Sequence, residues 1–189
     1  MDTRAKLVHA AEKLMLRGGY SATSVDDVIR TTALSKGSFY HFFESKEALG
    51  LAALERYYAD RVGRLAAGAY ADEADPVRRA HGFLEHASRV AASLWKDGCL
   101  LANLSADAAG SSRAISTALR KRTDELRALV AALLGPIAPP GMSGPELADE
   151  FLTCIEGAIV LARIYGDPSH LQRSVDRFRR RLGKASRRK

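Results

Sequence analysis

The chain has 189 residues, 47% apolar and 27% charged, ordinary values for one or two globular domains with a substantial core, and they exclude the collagen-like, low-complexity and strongly charged disordered classes. No run approaches the roughly 18 to 20 apolar residues that span a bilayer, and residues 1–20 carry charges where a signal peptide has an apolar block, so the expected compartment is the cytoplasm, with no membrane partner. The formal charge of +7 points to an anionic partner only if it is well placed, and it is not: residues 1–49 hold seven Lys and Arg against six Asp and Glu, residues 50–168 hold 13 against 15, and residues 169–189 hold nine against one.

Residues 3–17 place Leu7, Val8, Ala11, Leu14 and Met15 at helical spacing with charged residues opposite, and Gly18-Gly19 ends that helix. Three start signals follow within 22 residues. Ser24, with Asp27 in the capping-box position, starts a helix over Val25 to Thr32; Ser35 starts one over Lys36 to Phe42; Ser45 starts another at Lys46. Helices this short cannot each bury a face alone. Leu7, Leu14, Val25, Val28, Ile29, Leu34, Phe39, Phe42 and Leu49 are therefore expected in one shared core, with the second and third helices forming a helix-turn-helix.

Several stretches resemble the N-terminal domain of TetR-family transcriptional regulators: Gly19-Tyr20-Ser21-Ala22-Thr23-Ser24-Val25-Asp26-Asp27-Val28-Ile29, Leu34-Ser35-Lys36-Gly37-Ser38-Phe39-Tyr40-His41-Phe42-Phe43 and Ser45-Lys46-Glu47-Ala48-Leu49. The resemblance covers about residues 3–50. It departs at Thr31-Thr32-Ala33, where the family more often has Ala-Gly. It implies an all-α chain, with a helix-turn-helix DNA-binding domain over residues 1–46 and a helical effector-binding and dimerisation domain over 47–189.

Further along, residues 46–68 read as a long helix, and Asp75-Pro76 starts another that carries Phe83, Leu84, Ala87 and Val90 on one face. Asp97 is a candidate cap for a short helix through about Ala109, and Ile115 to Leu133 marks a long helix ending near Gly135. Four prolines and three glycines between Gly135 and Pro145 make a loop, followed by an apolar helix over Glu146 to Tyr165 and a basic one from Ser169 to about Arg181.

A recognition helix must present small or polar side chains at its N-terminal end so that its backbone can approach the major groove, while longer donors hold phosphate. Lys36, Gly37 and Ser38 meet that need after Ser35, and the expected DNA contacts add Phe39, Tyr40, His41 and Lys46, with Thr23 or Ser24 on a neighbouring phosphate. The stretch Lys96-Asp97-Gly98-Cys99-Leu100-Leu101 is similar to the Gly-Cys-Leu segment of a subgroup that includes electrophile-sensing and acrylate-responsive members. Cys99 is then expected in the first turn of a helix, where free amides and Lys96 favour a thiolate and Asp97 opposes it; the competing reading is an inert buried thiol. Cys154, inside an apolar helix, reads as structural. Trp95, Phe83 and Tyr165 are candidate effector-cavity residues alongside Cys99. Leu119, Leu126, Val130, Ile155, Ala158 and Ala162 are candidate homodimer contacts, Ala158 and Ala162 because small residues permit close helix approach.

No nucleophile elbow, P-loop, zinc-protease or dinucleotide motif is present, and His81 and His86 lie five apart, off one helical face. No enzyme, metal or cofactor is implied. The expected partners are palindromic double-stranded operator DNA, a small-molecule effector and a second copy of the chain. The alternative is an architectural nucleic-acid binder without an effector that uses the basic tail of Arg179, Arg180, Arg181, Lys184, Arg187, Arg188 and Lys189; an enzyme with Cys99 as nucleophile ranks third.

Overall fold

A computed structural model describes residues 2–96, 98–107 and 112–185, and within them the chain is all α-helical, without strands. In chain order the helices are α1 (Thr3–Gly18), α2 (Val25–Thr32), α3 (Lys36–Phe42), α4 (Lys46–Ala66), α5 (Pro76–Leu94), α6 (Leu100–Asp107), α7 (Arg113–Leu134), α8 (Gly144–Tyr165) and α9 (Ser169–Ala185). Short 3-10 turns occur at Ala69–Asp72 and Gly135–Ile137. No described helix is long and apolar enough to cross a membrane.

The starts follow the caps read from sequence. Ser24 and Asp27 form a reciprocal capping box, Ser35 Oγ accepts the Ser38 amide at 3.0 Å, Ser45 Oγ accepts the Ala48 amide at 3.0 Å, and Asp75 accepts the Arg78 amide at 2.7 Å ahead of Pro76. Each bond satisfies an amide that the first helical turn leaves without an intrahelical partner. The expected cap at Asp97 and the expected helix end at Ala109 lie outside the described residues, as do Arg187, Arg188 and Lys189.

The chain forms two compact units. Unit 1 comprises residues 1–60 and 97–123, and unit 2 comprises 61–96 and 124–189. The core of unit 1 joins Leu7, Ala11, Met15, Val28, Phe39, Phe43, Leu49 and Leu54 to Leu100, Leu104 and Ile115. Leu14, Val25, Ile29 and Leu34 pack against it half-buried. One expected core residue is elsewhere: Phe42 is exposed and packs edge-on to His41, while Phe43, four residues after Phe39 and so on the same helix face, takes the buried place. In unit 2, Tyr70, Phe83, Phe151 and Phe178 form a chain of aromatic contacts, with ring centroids 5.3–5.6 Å apart, between α5, α8 and α9.

The turn of the helix-turn-helix is tight. Ala33 ends α2 in the left-handed conformation, φ 54° and ψ 31°, and its amide bonds back to the carbonyls of Arg30 and Ile29. Alanine pays roughly 1–2 kcal/mol there, which glycine would not. Glycine in turn loses roughly 0.4–1 kcal/mol through its freer unfolded chain. Ala33→Gly is therefore expected to stabilise the protein by about 0.5–1 kcal/mol, and Ala33→Val to destabilise it, as read from urea unfolding midpoints. A less stable glycine variant would contradict the strained-turn account.

Candidate nucleic-acid interface

α3 divides into two faces. Phe39, fully buried, and Phe43 hold the helix to the unit 1 core, so Phe39 is not a DNA contact; its ring is enclosed by the protein itself. The other face presents Lys36, Gly37, Tyr40 and His41 to solvent, with Ser38 half-exposed and Ser35 exposed at the cap. A Cβ added at Gly37 would meet only Ser35 Oγ, at 3.8 Å, an ordinary contact. The fold therefore does not require glycine at this position. A bare patch of helix backbone, flanked by a hydroxyl, an ammonium and a phenol, suits close approach to a groove with anchoring on phosphate.

The flanking residues are less available than the sequence suggests. Thr23 is buried, and its hydroxyl donates to the Gly19 carbonyl at 2.8 Å, so it cannot also serve a phosphate. Ser24 is exposed, with its amide and hydroxyl both given to the Asp27 carboxylate, and these bonds hold that carboxyl below its usual range. Lys46 is half-buried: its ammonium lies 4.3 Å from the Tyr20 ring centroid and donates to the Ser21 carbonyl at 3.4 Å. Burial there pushes the Lys46 pKa down, with Asp107 partly opposing. Lys46 thus serves first as a brace for the α1–α2 turn.

That turn has a second brace which sequence reading did not find. α6 packs on α1, where Asn103 Nδ2 donates to the Leu16 carbonyl at 2.9 Å and Asp107 Oδ2 accepts the Ser21 amide at 2.9 Å. Gly19 is bound to this arrangement twice over. Its φ of 85° is a glycine conformation, and a Cβ would lie 2.7 Å from Asp107 Oδ2. The other Asp107 oxygen is buried without a hydrogen-bond partner among the described residues. Nothing local announces contacts made across 86 and 87 residues of chain; the glycine pair was visible, but its partner was not.

Cys99 directly precedes α6. Its carbonyl accepts the Asn103 amide at 3.0 Å, which puts it at the cap position and not within the first turn. The residue is buried, 7% exposed, and the next residue, Leu100, is in the unit 1 core. The other expected effector residues differ in their surroundings within unit 2. Phe83 is fully buried among the aromatic rings of unit 2, and Tyr165 is 67% exposed, stacked on His170. Trp95 is half-exposed with the Lys96 ammonium 5.7 Å from its ring centroid, so that ammonium is engaged with the indole. In unit 2 an open groove of about 670 Å³ runs between α8 and α9 past Thr153, Cys154, Arg177 and Phe178, and burial raises the Cys154 thiol pKa.

The six expected dimer contacts are buried or half-buried within the single chain. Ala158 and Ala162 are buried against unit 2, as is Val130, while Leu126 and Ile155 are half-buried there; Leu119 is buried in unit 1. What α8 leaves in solvent is a stripe at Gly157, Val160, Leu161 and Ile164, continued by Tyr165.

Comparison with known proteins places this geometry in context. Residues 7–53 match the family described as bacterial regulatory proteins, tetR family, and residues 76–177 match the C-terminal domain of LmrA/YxaF-like transcriptional regulators. The HTH-type transcriptional repressor NemR of Escherichia coli (strain K12) is 33% identical over 141 residues, 70% of this chain and 67% of that protein. The repressor DhaR of Mycobacterium sp. (strain GP1) is 31% identical over 116 residues, 61% of this chain and 57% of that one. The crystal structure of reduced E. coli NemR superposes with a TM-score of 0.78 at 26% identity, covering 94% of this chain and 96% of that one.

Proposed function

The chain belongs to the tetR family of bacterial regulatory proteins, and from that premise we propose a homodimeric transcriptional repressor whose hold on palindromic operator DNA is changed by a small-molecule or electrophilic effector. Residues 1–46 bind the operator, and 47–189 serve dimerisation and the effector response. The names of the relatives favour repression over an architectural role for the basic tail. Among its described residues, Arg179 is paired with Glu85 and Arg181 with Glu150. Two such heads in a dimer would read half-sites about 34–36 Å apart.

The observation that carries the reading is the anchoring of α6. Cys99 caps this helix, and Asn103 and Asp107 tie it to the end of α1 and the α1–α2 turn, in the same compact unit as α3. Adding bulk to a thiol that is 7% exposed requires the start of α6 to move. A rigid two-turn helix passes that motion to its other end, where the Ser21 amide is held. The α1–α2 turn then shifts, and with it the reading face. An electrophile adds to the Cys99 sulfur as the thiol proton is lost, with no oxidant needed.

Three outcomes test this. Gly37→Ala is expected to leave the fold intact, since the added Cβ meets only Ser35 Oγ at 3.8 Å, while weakening operator binding; larger side chains should abolish it. Thermal unfolding alongside a mobility-shift titration separates the two effects. Cys99→Ser should bind operator like the wild type and stay bound when N-ethylmaleimide releases the wild type. Equal release of both proteins would make the thiol structural and the effector non-covalent. For the dimer, Ile164→Lys on the exposed α8 stripe should give a folded monomer by light scattering, where the wild type gives a dimer at micromolar concentration. A wild-type monomer would refute the pairing.

A further inference from the structure

The near-neutrality of residues 1–49 is puzzling for a DNA-reading unit, because phosphate neutralisation supplies most of the affinity for duplex DNA. The cations next to the reading face are already matched. Arg30 pairs with Asp27 inside α2, and the Lys36 ammonium, at the start of α3, lies 3.5 Å from the Asp26 carboxylate on α2. The two aspartates differ in their commitments. Asp27 closes the α2 capping box through the Ser24 amide and hydroxyl, so the fold needs it. Asp26 makes no such bond; its side chain is 74% exposed and reaches across to the reading helix.

We infer that Asp26 is a specificity-determining residue, a fixed negative charge that holds Lys36 off the DNA backbone and keeps the reading head weak on duplexes that lack the right bases. A carboxylate 3.5 Å from an ammonium is well inside the Debye length, about 8 Å at physiological salt, of any phosphate that this ammonium touches. It therefore repels the phosphate and competes for the lysine together. Binding without base contacts is almost wholly electrostatic and takes the full penalty. In the operator complex, α3 is seated by its bare Gly37 backbone and by base edges, and the lysine, steered by Asp26, can face the groove as a donor to guanine. The sequence places this acid two residues into α2, where it also suits the helix dipole, so a purely local reading finds nothing unusual in it.

This inference rests on the assignment of α3 as the recognition helix, and the experiment separates the two. The full chain is titrated at several salt concentrations against two probes, a palindromic duplex it selects from a randomised pool and a scrambled duplex of the same length and composition. Asp26→Asn is expected to tighten the scrambled duplex several-fold and the selected one less. It should also steepen the salt dependence on the scrambled duplex by about one phosphate, roughly a three-fold larger loss between 50 and 200 mM salt. Asp26→Glu should restore the wild-type behaviour, which a merely structural role would not explain, and in a Lys36→Met background the Asn substitution should lose most of its effect. Unchanged affinity and slope in Asp26→Asn, or equal tightening on both duplexes, overturns the inference while leaving α3 in place if Lys36→Met alone weakens binding. If Lys36→Met has no effect on either duplex, both the inference and the assignment of α3 fail.

Discussion

Two hydrogen bonds to backbone groups, Asn103 to the Leu16 carbonyl and the Ser21 amide to Asp107, decide what unit 1 is. Apolar packing of Leu100, Leu104 and Ile115 joins α6 and α7 to the three-helix head, and these two bonds fix where α6 sits on it. Each bond contributes on the order of 1 kcal/mol, rising toward 2 or more for the charged acceptor, a modest share of a domain's stability. Their importance is geometric. They clamp the carbonyl end of α1 and the first amide of the following turn, the two places where the backbone is least held by its own helices. Gly19 has no side chain because Asp107 occupies the space.

The same turn carries Lys46 and Tyr20. Burial and the nearby carboxylates of Glu47 and Asp107 raise the Tyr20 pKa, and the Lys46 ammonium lies over its ring. The turn therefore brings α1, α2, the start of α4 and the end of α6 onto one small set of polar groups. A displacement of α6 must break or carry along these contacts, since the packed core beneath cannot deform continuously. That is the physical content of linking a thiol at the start of α6 to a reading helix that it does not touch.

Local signals were legible in the sequence and nonlocal ones were not. Ser24, Ser35, Ser45 and Asp75 cap helices because a short polar side chain before an apolar period has few other places to go, and the helices they start appear where expected. The exposed face of α3 was likewise readable from the small and polar residues of Lys36 to Ser38. The sequence reading places Phe42 in the core, and Phe43 takes that place, because adjacent residues at the end of a short helix differ only in which of them meets a neighbour. The small side chains of Ala158 and Ala162 announce close packing without saying against what. The partners of Gly19 and Ser21 lie 86 or more residues away, on a helix whose own pattern, Leu100 and Leu104, shows a buried face and not its destination.

In the proposed function, events at Cys99 reach the DNA-reading head through α6 and the α1–α2 turn. Hydrogen exchange on the full chain, before and after alkylation of Cys99 with N-ethylmaleimide, tests it directly, because exchange reports local opening segment by segment. The amides of residues 100–107 and 19–24 are expected to lose protection together, in step with release of operator DNA, while those of α8 and α9 stay as they were. Release of DNA with residues 19–24 as protected as before would contradict it.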